Sequence, residues 1–261
     1  MSRATQAELL EQRIAENAAS QEIDLATWIF ERVSVHPGAR VLELCCGTGG
    51  QTLSLLDRVG EGGSVVALDI SKAALDALAS KAGARSPRLV CVEGKLEDFS
   101  SALRQTGVQR DAFDLVFCAY GLYYSPDAQQ TLRVAKSKLN RHGRIVVVGP
   151  FGPNNKPLFD LVRASGVTIS QPVVFSSELF MLQTVLPWAA ESFESVSVHS
   201  MVNPVRWTTP ERVMNYWQNT TFYDAEKRSE FERRVRVHFE ENAVFVNQKW
   251  VMLAEMSHGR T

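Results

Sequence analysis

Apolar positions along this chain follow one rhythm up to about residue 150 and another beyond it. Over the first stretch, short apolar runs alternate with segments whose apolar residues recur every three or four positions. The runs "RVLELCC" (40–46), "SVVALDI" (64–70), "RLVCVEG" (88–94), "FDLVFCAY" (113–120) and "GRIVVVGP" (143–150) read as strands. Near-continuous apolar strands are expected where helices cover both faces of a sheet. Between them the spacing predicts helices over 50–59, 72–83, 97–105 and 127–138. Ser71 is placed to cap the second of these helices and Gly83 to end it.

The flanks are organised differently. Residues 5–19 and 21–34 predict two helices, the second carrying Leu25, Ile29 and Val33 four apart with Trp28 beside them. After Pro150, "FGPNNKP" reads as a loop, 177–187 as a helix and "FESVSVHSMV" (193–202) as a strand. Thr209 followed by Pro210 is a helix start. A further helix spans 225–241, with Phe231, Val235 and Phe239 four apart, and "AVFVNQKWVMLAEM" (243–256) closes the series as a strand. The expected fold is α/β: a doubly wound, mostly parallel seven-stranded sheet with N-terminal helices and a helical insertion. It is expected as one domain over 1–261. Residues 1–36 hold the N-terminal helices, 37–150 the ligand-binding core, and 151–261 the cap region and last two strands.

In such a sheet, ligands bind beyond the carboxyl ends of the strands. The first strand leads there into "CCGTGGQT" (45–52), where Gly47 and Gly49 permit close backbone approach. The spacing is neither the GxGxxG of dinucleotide sites nor a Walker loop, since no GK[ST] follows. Two acids stand beside the turn. Glu43 lies inside the first strand, where a carboxylate suits a ligand with positive charge or hydrogen-bond donors. Asp69 ends the second strand, where it can accept both hydroxyl protons of a ribose. Each acid also has a plain alternative, Glu43 as a strand-end charge and Asp69 as a charge at a helix start.

With these residues the chain resembles the class I S-adenosylmethionine-dependent methyltransferases, which have a Rossmann-like fold. "VLELCCGTGG" and "VVALDIS" are similar to the first two motifs of that family. "LVCVEGKLEDFS", "FDLVFCAYGLYYSPD" and "LNRHGRIVVVGP" resemble the next three, in order, over about 37–150. The resemblance implies S-adenosylmethionine as cofactor. It implies that Glu43 orients the methionine ammonium, that Gly47 and Gly49 line the methionyl and ribose path, and that Asp69 binds the ribose hydroxyls. Ile70 and Leu96 would pack on the two adenine faces, and Cys45, Glu97 and Cys118 would complete the cofactor-binding set.

The chain departs from the family pattern at three places. Cys45 stands where glycine is usual. Lys95 stands where an aspartate usually precedes the adenine, and a lysine cannot accept the amino protons, which leaves that task to Glu97 or Asp98. "AYGLYYSPD" carries Tyr123 where many small-molecule members have histidine, and it lacks the Asp/Asn-Pro-Pro-Tyr/Phe pattern of amino-group methyltransferases. Tyr120 and Tyr123 are the candidates for positioning the acceptor; packing beneath a cap is their alternative. Methyl transfer is an in-line displacement that draws much of its rate from alignment, so a conspicuous base is not required.

Composition narrows the acceptor. Twenty-eight basic against 29 acidic residues give a formal net charge of −1. That leaves no basic excess for binding nucleic acid. No apolar run approaches a membrane span, and the first residues lack the apolar core of a signal peptide. The expectation is a cytoplasmic protein without membrane or nucleic-acid partners. The four cysteines, Cys45, Cys46, Cys91 and Cys118, are expected buried and reduced, with Cys45 and Cys46 facing apart. The five histidines form no metal-ligand spacing. Aromatic and Met residues of the later segments, including Met214, Tyr216, Trp217 and Tyr223, suit an enclosed small-molecule pocket or the packing of a cap onto the sheet. The expected function is methyl transfer to a small organic acceptor, oxygen ahead of nitrogen, in secondary metabolism. A nicotinamide-dependent oxidoreductase and a non-catalytic cofactor-binding subunit are the alternatives.

Overall fold

In the computed structural model, which describes residues 7–105 and 113–258, seven strands form one sheet in the order β3-β2-β1-β4-β5-β7-β6. The strands are β1 (Arg40–Leu44), β2 (Ser64–Asp69), β3 (Leu89–Glu93), β4 (Phe113–Ala119), β5 (Leu139–Pro150), β6 (Ser195–Trp207) and β7 (Phe245–Ser257). Pairings β1–β2, β1–β4, β2–β3 and β4–β5 are all parallel. Helices α1 (Ala7–Ala18), α2 (Leu25–Phe30), α3 (Thr52–Val59), α4 (Lys72–Ala82), α5 (Phe99–Gln105), α6 (Ala128–Ser137) and α7 (Lys156–Ala164) follow in chain order. Residues 5 and 6 of the first expected helix lie outside the described residues.

Chain contacts divide the protein into two compact units. One comprises Leu25–Gly149, Met181–His199 and Met252–Thr261. Its centre is β1, flanked by β2 and β4, with Val41, Leu42, Val65, Ala67, Leu115 and Phe117 almost fully buried. Burying a Val, Leu or Phe side chain contributes about 1.5–3 kcal/mol. That gain explains why each apolar run adopts the sheet. Ser71 Oγ accepts from the Ala74 N–H at the start of α4, as its position in the sequence predicted.

The other unit comprises Met1–Asp24, Pro150–Phe180 and Ser200–Val251. Its core joins Leu158, Phe159 and Val162 of α7 to Trp207, Trp217, Phe231 and Val235. Helices Pro210–Gln218 and Arg228–Glu241 lie between β6 and β7 in the chain, as expected. Trp217 is fully buried, its ring 4.1 Å from that of Phe231 and 4.8 Å from that of Tyr223. Trp217 therefore serves the packing of this unit.

Several boundaries differ from expectation. β1 stops at Leu44 rather than Cys46, because Cys45 turns into the left-handed region at φ 58°. β4 stops at Ala119 for the same reason, with Tyr120 at φ 57°. Helix α7 begins where a loop was expected. Its proline, Pro157, sits in the first turn, where the missing N–H costs nothing. The helix expected at 177–187 belongs to a longer helical run from Gln171 to Ser192, interrupted by π-helical stretches at Phe175–Leu179 and Met181–Val185.

Truncating the central ring tests the assignment of Trp217 to a core. Trp217→Ala should lower unfolding free energy by about 3–5 kcal/mol, whereas Tyr124→Ala, on a side chain 52% exposed, should stay within about 0.5 kcal/mol. Urea unfolding followed by circular dichroism reads both. A Trp217→Ala loss below about 1 kcal/mol would contradict the core assignment.

Candidate functional site

The turn after β1 leaves the sheet through a succession of left-handed residues: Cys45 at φ 58°, Gly47 at 53° and Gly49 at 90°. Asp69, at the tip of β2, holds this turn. Its Oδ2 accepts from the Gly47 N–H at 2.8 Å and its Oδ1 from the Ser71 N–H at 2.9 Å. The Cys46 N–H donates to the Leu68 carbonyl at 3.0 Å, extending the β1–β2 register by one step. The two glycines differ in role. A Cβ on Gly49 would lie 2.3 Å from Leu78 Cδ1, so packing against α4 demands glycine there. A Cβ on Gly47 would meet no atom within 4 Å, so its outer side faces open space.

Glu43 sits in the strand just before this turn, only 2% exposed. Its Oε2 has no hydrogen-bond partner. Burial pushes its pKa up to about 8; the neighbouring Thr52 hydroxyl offsets part of this, and the Asp69 charge adds to it. At neutral pH the carboxyl is therefore largely protonated. No cation forms an ion pair with Glu43 or Asp69 among the described residues.

Cys45 and Cys46 do face apart, and all four cysteines are free thiols. Cys46 packs with Ala67, Leu75 and Leu78. Cys45 turns the other way and its thiol hydrogen-bonds Cys118 at the end of β4; this bond and then burial hold its pKa well above the usual thiol value. The pair is enclosed by Gly121, where an added Cβ would stand 2.2 Å from Cys45 Cβ and 3.5 Å from Cys118 Sγ. Cys45 thus occupies room left by a glycine on a different strand tip. No local pattern announces that contact.

The remaining expected residues lie at neighbouring strand ends. Ile70, next to Asp69, is 52% exposed, an isolated apolar surface beside the turn. Leu96 is buried and Lys95 and Glu97 are exposed after β3, whose end is tied to β2 by the Gly94 N–H donating to the Asp69 carbonyl at 3.0 Å. Tyr120 and Tyr123 are half-buried after β4. The Tyr120 N–H donates to the Val148 carbonyl at 2.8 Å, and the Tyr123 ring lies 4.7 Å from that of Tyr124. The structure brings Glu43, Gly47, Gly49 and Asp69 into one cluster, and Cys45 with Cys118 into another beside it. Sequence reasoning missed Thr52, Ser71 as a partner of Asp69, and Gly121.

Comparison with known proteins agrees with this geometry. A family model described as a methyltransferase domain matches residues 35–177. The chain belongs to the class I S-adenosylmethionine-dependent methyltransferases. The nicotinamide-dependent alternative falls with that assignment. Demethylmenaquinone methyltransferase of Lactobacillus johnsonii is 30% identical over 131 residues, 48% of this chain and 50% of that protein. Its namesake from Shouchella clausii is 37% identical over 112 residues, 41% of this chain and 45% of that protein. The chain spans about half the length of the curated relatives it matches. Among solved structures, the YcgJ protein of Bacillus subtilis covers 90% of this chain and 98% of its own, with TM-score 0.60 and 13% identity. An arsenic(III) S-adenosylmethionine methyltransferase from Chlamydomonas reinhardtii covers 95% of this chain and 73% of its own, with TM-score 0.53 and 18% identity. At such identities the two structures speak for the fold alone.

The raised pKa of Glu43 makes a pH-dependent contribution to stability. An unfolded glutamate titrates near 4.5 and the folded one near 8. The stabilisation is complete below the lower value and is lost as pH rises through the upper one. The swing is at most about 5 kcal/mol. Glu43→Gln should remove this slope, so its unfolding free energy should gain on the wild type steadily between pH 5 and pH 8. A difference that stays flat over that range would mean Glu43 is ionised in the folded protein. At Cys45, glycine accepts φ 58° freely, so Cys45→Gly should change stability by no more than about 1 kcal/mol. Cys45→Val, β-branched in a left-handed conformation, should cost about 2 kcal/mol or more. Equal thermal stability of the two variants would sink this reading.

Proposed function

We propose that this protein transfers the methyl group of S-adenosylmethionine to a small organic acceptor, with oxygen the favoured atom. The observation that carries the reading is the buried, unpaired Oε2 of Glu43 beside a glycine turn whose outer side is open. A buried carboxyl oxygen without a donor suits a ligand that brings one, and the ammonium of S-adenosylmethionine does. The residues fit the rest of that molecule as well. Asp69 keeps acceptor lone pairs beyond its two backbone bonds for the ribose hydroxyls, and exposed Ile70 offers an apolar face for the adenine. Leu96 is the residue assigned to the opposite adenine face. Glu97 or Asp98 is assigned to the adenine amino group, because Lys95 cannot accept its protons.

The bound cofactor supplies an activated methyl on a sulfonium. This chain's residues supply orientation. Tyr120 and Tyr123, at the end of β4, are assigned to holding the acceptor. The segment that contains them lacks the pattern of amino-group methyltransferases, which favours oxygen over nitrogen. The relatives' names give demethylmenaquinone as their acceptor, which supports a small organic acceptor rather than a macromolecule.

Two measurements test the reading. Calorimetry should show saturable binding of S-adenosylmethionine and S-adenosylhomocysteine and none of NADH. Asp69→Ala should weaken both by about 1.5–3 kcal/mol. Unchanged affinity in that variant would remove the ribose assignment. Binding an ammonium beside a protonated Glu43 must also lower that pKa, so cofactor binding near pH 7 should release a fraction of a proton. Repeating the titration in buffers of different ionisation enthalpy reads the release, and Glu43→Gln should abolish it. Proton release that persists in Glu43→Gln would assign it to another group.

A further inference from the structure

A second polar cluster, separate from the glycine turn, lies within the unit formed by Met1–Asp24, Pro150–Phe180 and Ser200–Val251. Lys249 Nζ donates to the Tyr216 hydroxyl at 2.6 Å and to Asn155 Oδ1 at 2.6 Å. Asn247 Nδ2 donates to the same Asn155 oxygen at 2.9 Å. Asn17, on α1, also hydrogen-bonds the Tyr216 hydroxyl, with the Arg13 charge nearby. Tyr216 itself is 6% exposed and rests on the fully buried ring of Trp207, 4.8 Å between centroids. Burial acts to raise the Tyr216 pKa, yet the Lys249 charge and hydrogen bond, with Arg13 and Asn17, bring it below the usual phenol value.

The charge of this cluster is not balanced by acids. Among the described residues neither Lys249 nor Arg13 forms an ion pair with a carboxylate. Glu16, also on α1, is paired with Arg212 at 2.7 Å. The cluster also holds unpaired polar atoms of both kinds. Arg13 Nε is a donor without an acceptor, and Asn17 Oδ1 and Asn247 Oδ1 are acceptors without donors; Asn247 is fully buried. Lys249, Arg13 and Asn155 remain half-exposed, which leaves the cluster reachable from solvent. Two cations call for an anion, and a bare amide oxygen calls for a hydroxyl beside it.

We propose that Lys249, Arg13 and Tyr216 form a binding site for a small hydroxylated organic acid, its acid group on the two cations and its hydroxyl donating to one of the bare amide oxygens. That this acid is the methyl acceptor rests on the methyltransferase reading. The binding site itself does not.

The test uses the intact protein and defined probes. Salicylate supplies a carboxylate beside a hydroxyl, phenyl phosphate supplies a phosphate, and benzyl alcohol is the neutral control. Titration calorimetry should show saturable salicylate binding with no benzyl alcohol binding. Tighter binding of phenyl phosphate than of salicylate would keep the anion site and reassign its acid group. Lys249→Met keeps the aliphatic stem and should weaken the anion by about tenfold or more. Tyr216→Phe keeps the ring on Trp207 and should weaken it less. S-adenosylhomocysteine binding, measured on the same samples, checks that the variants are folded. Cofactor binding with no anion bound by the wild type, or equal anion affinity in Lys249→Met, would overturn the site and leave the methyltransferase reading standing. Anion binding without cofactor binding would do the reverse.

Discussion

The clasp of Asp69 on two backbone amides holds the candidate site in shape. One carboxylate at the tip of β2 receives the Gly47 N–H from the turn after β1 and the Ser71 N–H from its own helix start. Hydrogen bonds to a charged acceptor are worth about 1.5–3 kcal/mol each. That scale is enough to hold a turn built from several left-handed residues, of which Cys45 is not glycine and bears a steric cost of about 1–2 kcal/mol. Because the turn is pinned, Gly49 can press against Leu78, Cys46 can fill the space beside Leu75, and Cys45 can point to Cys118. The open side of Gly47 is what remains. The same clasp sets where the Asp69 charge stands, and that charge helps keep Glu43 protonated.

Much of this was legible in the sequence because it is local. Five apolar runs made five parallel-sheet strands, four of them with mostly buried residues, whereas β3 at the sheet edge leaves Val90 exposed. Ser71 capped α4 because its hydroxyl and the third amide beyond it come together in any helix start. Glu43 and Asp69 were readable as neighbouring acids at one turn because strand ends converge at the first turn of such a sheet. What was missed depends on contacts across long sequence distances or on exceptions to a local rule. Cys45 reads as strand in every propensity sense, yet its φ is set by the space at Gly121. Pro157 reads as a breaker and instead opens a helix. The Tyr216–Lys249 pair joins a helix to a strand with nothing in either segment to mark it.

The aromatic residues of the later segments show the limit of composition as evidence. A pocket and a core call for the same side chains, so only burial separates them. Trp217 and Trp207 are fully buried and their rings interlock with Phe231, Tyr216 and Phe245, which accounts for the rings through packing, while both indole N–H groups stand without a partner. Tyr216 differs from its neighbours because its ring is core and its hydroxyl is not. The phenol oxygen meets a lysine and an amide, so the residue reads as a polar group held in place by an apolar one.

The two polar clusters are opposites in charge, each considered by itself. Among the described residues Glu43 and Asp69 pair with no cation, and burial, with the Asp69 charge adding to it, raises the pKa of Glu43. Among the described residues Lys249 and Arg13 form no ion pair with an acid, and burial raises the Tyr216 pKa while their charges lower it to below the usual phenol value. In a chain whose formal net charge is −1, acids and bases are numerous enough to have paired. An unpaired acid cluster favours a ligand carrying positive charge, because binding then restores the ionised carboxylate that burial suppresses. An unpaired basic cluster favours an acid by the same argument with the signs reversed.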